Sequence, residues 1–284
     1  MARILVFDSG VGGLSILSAL KKNSDIAQNT HQWLFCSDNA FFPYGLKKED
    51  ELIERVTAVL CSLHAQYQPD IIVLACNTAS TVALDAARKQ LPVPIVGVVP
   101  AIKPAAQLTQ SGCIGLLATP GTISRAYTQQ LIDDFASHCH VVRVGSNELV
   151  WMAEQQLRTG MVDQMELHRV LTPLRAAIAQ KQLDTIVLAC THFPLLSDSL
   201  REQLPEIKHW VDSSDAVARR VAWLLGQPAS NFSQAPEVDS SSLKENHIAL
   251  FTRVDESVTS LEQALRYFGF ESIVCLNIKT QGDA

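Results

Sequence analysis

The chain has 284 residues, 47% hydrophobic and 18% charged, the composition of an ordinary globular protein with one large domain or two medium ones. Its 23 Lys and Arg against 29 Asp and Glu leave a formal net charge of −6, which argues against a nucleic-acid partner. No run approaches the ~20 apolar residues of a membrane span. The start Met1-Ala2-Arg3-Ile4-Leu5 lacks the organisation of a signal peptide. The seven scattered cysteines show no C-x-x-C spacing, which argues against a disulfide framework or a structural zinc site, so free thiols in a reducing cytoplasm are expected.

In chain order, strand patterns alternate with helical ones. A strand over 3–7 precedes a helix over 12–22, and a strand over 33–37 precedes a helix over 48–65. That helix carries apolar residues at Leu52, Val56, Val59, Leu60 and Leu63. A strand over 70–75, a helix over 78–90 and a strand over 95–98 complete the rhythm of a doubly wound α/β fold. The rhythm then restarts with a strand over 112–118, a turn leading into a helix over 121–135, and a strand over 141–144. Helices over 148–157 and 165–180, a strand over 185–189 and a helix over 195–204 follow. After a helix over 216–225, the serine-rich stretch 226–246 reads as an exposed, mobile loop. A strand over 248–253, a helix over 257–267 and a strand over 273–276 then return to the first half. The expected architecture is two similar doubly wound α/β domains, 1–97 with 211–284 and 98–210, with the active site between them.

One tetrapeptide occurs twice. Val73-Leu74-Ala75-Cys76 runs into Asn77-Thr78, and Val187-Leu188-Ala189-Cys190 runs into Thr191-His192. Each copy ends a continuously apolar, β-branched run of the kind a buried parallel strand needs, and the carboxyl ends of such strands are where open α/β sheets bind ligands. A thiol there, ahead of a helix start, feels the positive end of that helix and is easier to ionise. Two equivalent thiols suit chemistry that needs one acid/base group on each face of a substrate. The other five cysteines, Cys36, Cys61, Cys113, Cys139 and Cys275, read as inert.

Asp8-Ser9-Gly10-Val11-Gly12-Gly13 is a glycine-rich loop after the first strand that does not meet G-x-G-x-x-G. Its backbone amides suit a carboxylate as well as a phosphate. Asp8 reads either as a proton relay and thiol-orienting group or as a loop-capping residue. Asp38 to Gly45 forms a turn-rich loop after the second strand, either a pocket wall or a plain crossover. His192 is two residues from Cys190. Glu148 and Glu154 are six positions apart on one helix, so at most one faces a site.

At these residues the chain resembles the glutamate racemases, cofactor-independent enzymes of the aspartate/glutamate racemase superfamily. The resemblance rests on Phe7-Asp8-Ser9-Gly10-Val11-Gly12-Gly13-Leu14, Pro43-Tyr44-Gly45, Ala75-Cys76-Asn77-Thr78-Ala79-Ser80, Thr119-Pro120-Gly121-Thr122 and Cys190-Thr191-His192-Phe193-Pro194-Leu195-Leu196, in order. It implies interconversion of L- and D-glutamate, supplying D-glutamate for peptidoglycan, with no metal and no other cofactor. Cys76 would abstract the α-proton from D-glutamate and Cys190 from L-glutamate, assisted by Asp8 and His192 respectively. The family's assisting glutamate aligns with Glu154, with Glu148 the second choice, because the Cys-Pro segment many members carry is replaced by Val144-Gly145-Ser146-Asn147. Asp8, Ser9, Pro43, Tyr44, Gly45, Asn77, Thr78, Thr119, Thr122, Thr191 and His192 match substrate-binding positions. A homodimer is usual for the family, and regulation by a cell-wall precursor occurs in some members. The alternatives are racemisation of aspartate or another amino acid, and a non-catalytic binding or regulatory role on the same scaffold.

Overall fold

The computed structural model describes residues 1–227, 247–276 and 278, so most of the serine-rich stretch expected to be a mobile loop lies outside the described residues. Among the described residues there are ten strands: β1 (Arg3–Asp8), β2 (Gln32–Ser37), β3 (Ile71–Leu74), β4 (Ile95–Gly97), β5 (Cys113–Ala118), β6 (His140–Gly145), β7 (Thr185–Ala189), β8 (His209–Val211), β9 (Ile248–Phe251) and β10 (Ser272–Cys275). The chain divides into two compact units, Met1–Val98 with Ser214–Ala284, and Val99–Ser213. No described helix is long and apolar enough to cross a membrane.

Each unit holds one all-parallel sheet. The first has the order β10-β9-β2-β1-β3-β4 and the second β6-β5-β7-β8. The two share a four-strand plan: the first strand lies between the second and third, and the fourth flanks the third. The registers pair Phe7 with Leu74 in the first unit and Ala118 with Ala189 in the second. Parallel strands point the same way, so the carboxyl ends of β1, β2 and β3 share one sheet edge, and those of β5, β6 and β7 share another.

The central strands are covered on both faces, as parallel strands must be. Residues 4–8 of β1 and all of β3, β5 and β7 are buried. In the first unit the helix Glu49–Tyr67 presents Leu52, Val56, Val59, Leu60 and Leu63 to this core. Their i, i+4, i+7, i+8, i+11 spacing makes one apolar stripe, and each buried side chain contributes about 1.5–3 kcal/mol of transfer free energy. In the second unit Ile102, Ala105, Ile132 and Ala136 close over Ile114, Leu116 and Val187.

Some helices differ from the periodicity reading. The stretch 121–135 is two helices, Pro120–Ser124 and Ala126–Phe135, because Arg125 between them is extended at φ −74° and ψ 141°. The stretch 165–180 is likewise divided at Leu171 into Gln164–Val170 and Thr172–Lys181. Pro173 lacks the N–H that would continue the first helix, but it fits the first turn of the second. After Cys190 the chain makes a 3-10 turn, Phe193–Leu196, before the helix Ser197–Gln203. The strand β8 and the helix Ile102–Leu108 have no periodic signal of their own: β8 has three residues, only one of them buried, and the helix contains Pro104.

Asp184, just before β7, ties the second sheet's amino edge together. Its carboxylate accepts from Thr109 Oγ1 at 2.7 Å, the Gln110 and Ser111 amides at 2.9 and 3.0 Å, and Thr185 Oγ1 at 2.9 Å. Burial pushes its pKa up, but these donors outweigh burial and hold it at about 2. The folded-state value lies below the unfolded one, so this stabilisation is fully present above about pH 4 and is lost as pH falls toward 2. Asp184→Ala is expected to lower stability by about 1–3 kcal/mol, because it leaves two backbone amides without their acceptor. Urea unfolding at pH 7 checks this, and the deficit relative to wild type should shrink at pH 2–3.

Candidate active site

In the first unit Cys76 is the N-cap of the helix Asn77–Gln90, extended at φ −122° and ψ 117°. β3 delivers it there: the Ala75 amide donates to Phe7 O at 2.7 Å, and the Ser80 amide donates to Cys76 O at 2.8 Å. The thiol therefore stands at a helix N-terminus, where the peptide dipoles favour a thiolate. Asp8 ends β1 and is wholly buried. Its Oδ1 accepts from the Ser9 amide at 2.5 Å and from Ser9 Oγ at 3.1 Å, and Ser9 Oγ lies 3.9 Å from Cys76 Sγ. Ser9 is thus hydrogen-bonded to Asp8 and in contact with the thiol. Gly13 makes room for this corner, since a Cβ there would lie 3.0 Å from Asp8 Cβ and 3.2 Å from the Phe35 ring.

Asn77 and Thr78 are buried directly after Cys76, and Asn77 Oδ1 has no hydrogen-bond partner among the described residues. Tyr44 is completely buried, and its flanking Pro43 and Gly45 are half-buried. Tyr44 Oη donates to Asp38 Oδ2 at 2.7 Å. Burial and the neighbouring Asp38 push the Tyr44 pKa well above the ordinary phenol value, so it remains a donor.

In the second unit Cys190 follows β7, with Thr191 and His192 buried beside it. Cys190 Sγ is 3.9 Å from His192 Nδ1, and His192 Nε2 is 2.8 Å from Glu154 Oε1. Arg158, one turn after Glu154 on the helix Glu148–Thr159, donates to Glu154 Oε2 at 2.6 Å. This makes a relay of thiol, imidazole, carboxylate and guanidinium. Burial by itself would lower the His192 pKa, but the hydrogen bonds and charges of Cys190 and Glu154 outweigh it and raise the value well above that of ordinary histidine.

The two glutamates of this helix separate cleanly. Glu154 is buried against His192, whereas Glu148 has a half-exposed side chain that meets Ser146 Oγ and Arg169 at the surface. Of the two alignments, only Glu154 is joined to the thiol's histidine. Thr119 caps the helix Pro120–Ser124: its Oγ1 accepts from the Thr122 amide at 3.2 Å and donates to the buried Thr122 Oγ1 at 3.0 Å. These two hydroxyls form one cluster.

The candidate residues therefore gather as two sets: Asp8, Ser9, Pro43, Tyr44, Gly45, Cys76, Asn77 and Thr78 in the first unit, and Thr119, Thr122, Glu154, Cys190, Thr191 and His192 in the second. Sequence reasoning missed Arg158. Its signal was the Glu154/Arg158 i, i+4 spacing, which is common on solvated helix faces and so does not stand out. Among the described residues no group of three or more His, Cys, Asp and Glu is placed to hold a metal ion.

A family model described as Asp/Glu/Hydantoin racemase matches residues 4–221. The chain is 48% identical over 271 residues to the glutamate racemase of Shewanella loihica, covering 95% of this chain and 94% of that protein. It superposes on the crystal structure of Escherichia coli glutamate racemase, in complex with L-glutamate and the activator UDP-MurNAc-Ala, with a TM-score of 0.88 and 41% identity over 98% of this chain and 99% of that one. The glutamate racemase of Aquifex pyrophilus gives a TM-score of 0.66 at 26% identity, covering 94% of both chains. The chain belongs to the Asp/Glu/hydantoin racemase family and, within it, to the glutamate racemases, isomerases that interconvert L- and D-glutamate.

Proposed function

We propose that racemisation runs by two thiols acting on opposite faces of the glutamate α-carbon. The observation that carries this reading is the pair of cysteines at equivalent strand ends of two sheets that share a four-strand plan, each in contact with its own polar partner. Cys76 as thiolate takes the α-proton of D-glutamate while the Cys190 thiol protonates the other face, and the reverse holds for L-glutamate. Ser9 and Asp8 orient Cys76. His192, held by Glu154, lies beside Cys190 and takes up or returns its proton.

Removing an α-proton without a cofactor leaves negative charge to be held by fixed donors where water is scarce. Such donors would come from the Tyr44–Gly45 backbone and from Asn77, Thr78, Thr122 and Thr191, while the Ser9, Tyr44 and Thr119 hydroxyls, which donate to Asp8, Asp38 and Thr122, fix the walls around them. The buried, unpaired Asn77 Oδ1 suits the substrate ammonium group. The product D-glutamate would feed cell-wall peptidoglycan in the cytoplasm, the working form would be a homodimer, and a cell-wall precursor would regulate it. The last point rests on the UDP-MurNAc-Ala activator in the Escherichia coli relative.

The reading is tested by following circular dichroism of L- and D-glutamate separately with purified protein and a chelator. Decay of both signals to zero is expected. Decay with aspartate in place of glutamate would move the substrate, and no decay with any amino acid, with UDP-MurNAc-Ala absent or added, would overturn the reading. Cys76→Ala and Cys190→Ala should each lower kcat/KM by about 10²–10⁴-fold, the range for a positioned acid/base group. The enantiomers have equal free energy, so kcat/KM must fall equally in both directions. Cys275→Ala, at an exposed thiol, should be silent.

Glu154→Gln removes a charge that raises the His192 pKa. The imidazole should then lose its proton at lower pH. The alkaline limb of the kcat/KM profile is expected to move to lower pH, while the acidic limb stays in place.

A further inference from the structure

Asp38 ends up fully buried just past β2, where it collects four donors from three other parts of the first unit. Arg55 of the helix Glu49–Tyr67 grips it with both ends of the guanidinium fork, Nη2 to Oδ1 at 2.7 Å and Nε to Oδ2 at 2.9 Å. Thr252, just after β9, donates to Oδ1 at 2.7 Å, and Tyr44 donates to Oδ2 at 2.7 Å. The Asp38 amide in turn donates to Asp8 O at 2.9 Å. The same loop is fastened again by Ala40 N to Thr252 Oγ1 at 3.0 Å and by a paired contact of the Asn39 side chain with the Arg253 backbone.

Tyr44 apart, none of these groups need touch a substrate, yet together they fix the Tyr44–Gly45 segment relative to the Asp8 and Cys76 corner. An enzyme that tells glutamate from its one-methylene-shorter homologue must hold a constant distance between the reacting carbon and the donors for the distal carboxylate. A loop pinned by a buried, bidentate ion pair can hold that distance, whereas a loop free to shift would let the shorter substrate reach both ends.

We propose that the Arg55–Asp38 pair is a positioning device that sets selectivity for substrate length by locking the Tyr44 hydroxyl and the Tyr44–Gly45 backbone in place. The proposal rests on the reading of Tyr44 and Gly45 as substrate-binding residues. Arg55 and Asp38 are positioning residues, acting through Tyr44.

The test uses the full-length enzyme and begins with the wild type. Arg55→Lys keeps the charge but loses the fork. It is expected to raise KM for glutamate about tenfold with kcat within about twofold, and to cut the glutamate-over-aspartate ratio of kcat/KM about tenfold, the scale of one charge-assisted hydrogen bond. Thr252→Val, which removes a single donor, should shift the ratio in the same direction by less. Arg169→Lys, at an exposed ion pair with Glu166, should leave both parameters unchanged.

A double-mutant cycle with Tyr44→Phe separates positioning from plain structural support. If Arg55 acts through Tyr44, the double variant should be no worse in KM than Tyr44→Phe alone. Additive effects, or a loss in Arg55→Lys that tracks only the fraction of folded protein, would overturn the proposal. A wild type without glutamate racemase activity even with UDP-MurNAc-Ala added would instead refute the functional reading, and it would be recognised before any variant is compared.

Discussion

Everything chemical in this protein depends on the geometry of a parallel strand handing over to the next helix. A strand buried on both faces cannot expose a polar group along its length, so reactive side chains must wait for its carboxyl end. Ile71–Leu74 and Thr185–Ala189 are buried throughout, and the next available positions are Cys76 and Cys190. Backbone bonds such as Ala75 to Phe7 fix where each thiol emerges to within the tolerance of the sheet register.

Equivalent strand ends have been equipped differently. Cys76 is a helix N-cap with Ser9 and Asp8 as neighbours, a small neutral hydroxyl backed by a buried carboxylate. Cys190 precedes a 3-10 turn, which offers a weaker dipole, and it has His192, Glu154 and Arg158 in line instead. In the proposed mechanism each thiol acts as base toward one enantiomer and as acid toward the other. A helix N-terminus and a buried imidazole are two different surroundings for the same pair of roles. Burial matters as much as the partners, since a low-dielectric setting strengthens each of these hydrogen bonds and charges.

The loop that begins at Asp38 shows how a rigid scaffold lends precision to a segment without regular structure. Its first residues are stitched to the end of β9, a strand that arrives more than 200 positions later in the chain. The return of the chain to the first sheet is therefore part of the site's construction. It places Thr252 where a loop near the amino terminus needs a hydrogen-bond donor.

Much of this was legible from local patterns. The continuous apolar runs before Cys76 and Cys190, the stripe on the helix Glu49–Tyr67 and the restart of the α/β rhythm at residue 112 are short-range signals. Burial on one or both faces imposes them directly on neighbouring residues. The breaks at Arg125 and Leu171 and the three-residue β8 were not legible, because competing local conformations differ by too little for periodicity to decide and packing selects among them. The resemblance put Glu154 ahead of Glu148, but the residues themselves left both open: both are glutamates on one helix, and only the fold determines which turn faces the imidazole. By itself the sequence determined the strand ends, the two thiols and the glycine corner at Gly13, since each follows from burial or backbone geometry within a few residues. Tertiary structure alone decided the partners, Arg158 behind Glu154 as well as Arg55 and Thr252 around Asp38, because which buried charge meets which donor depends on elements brought together across the chain.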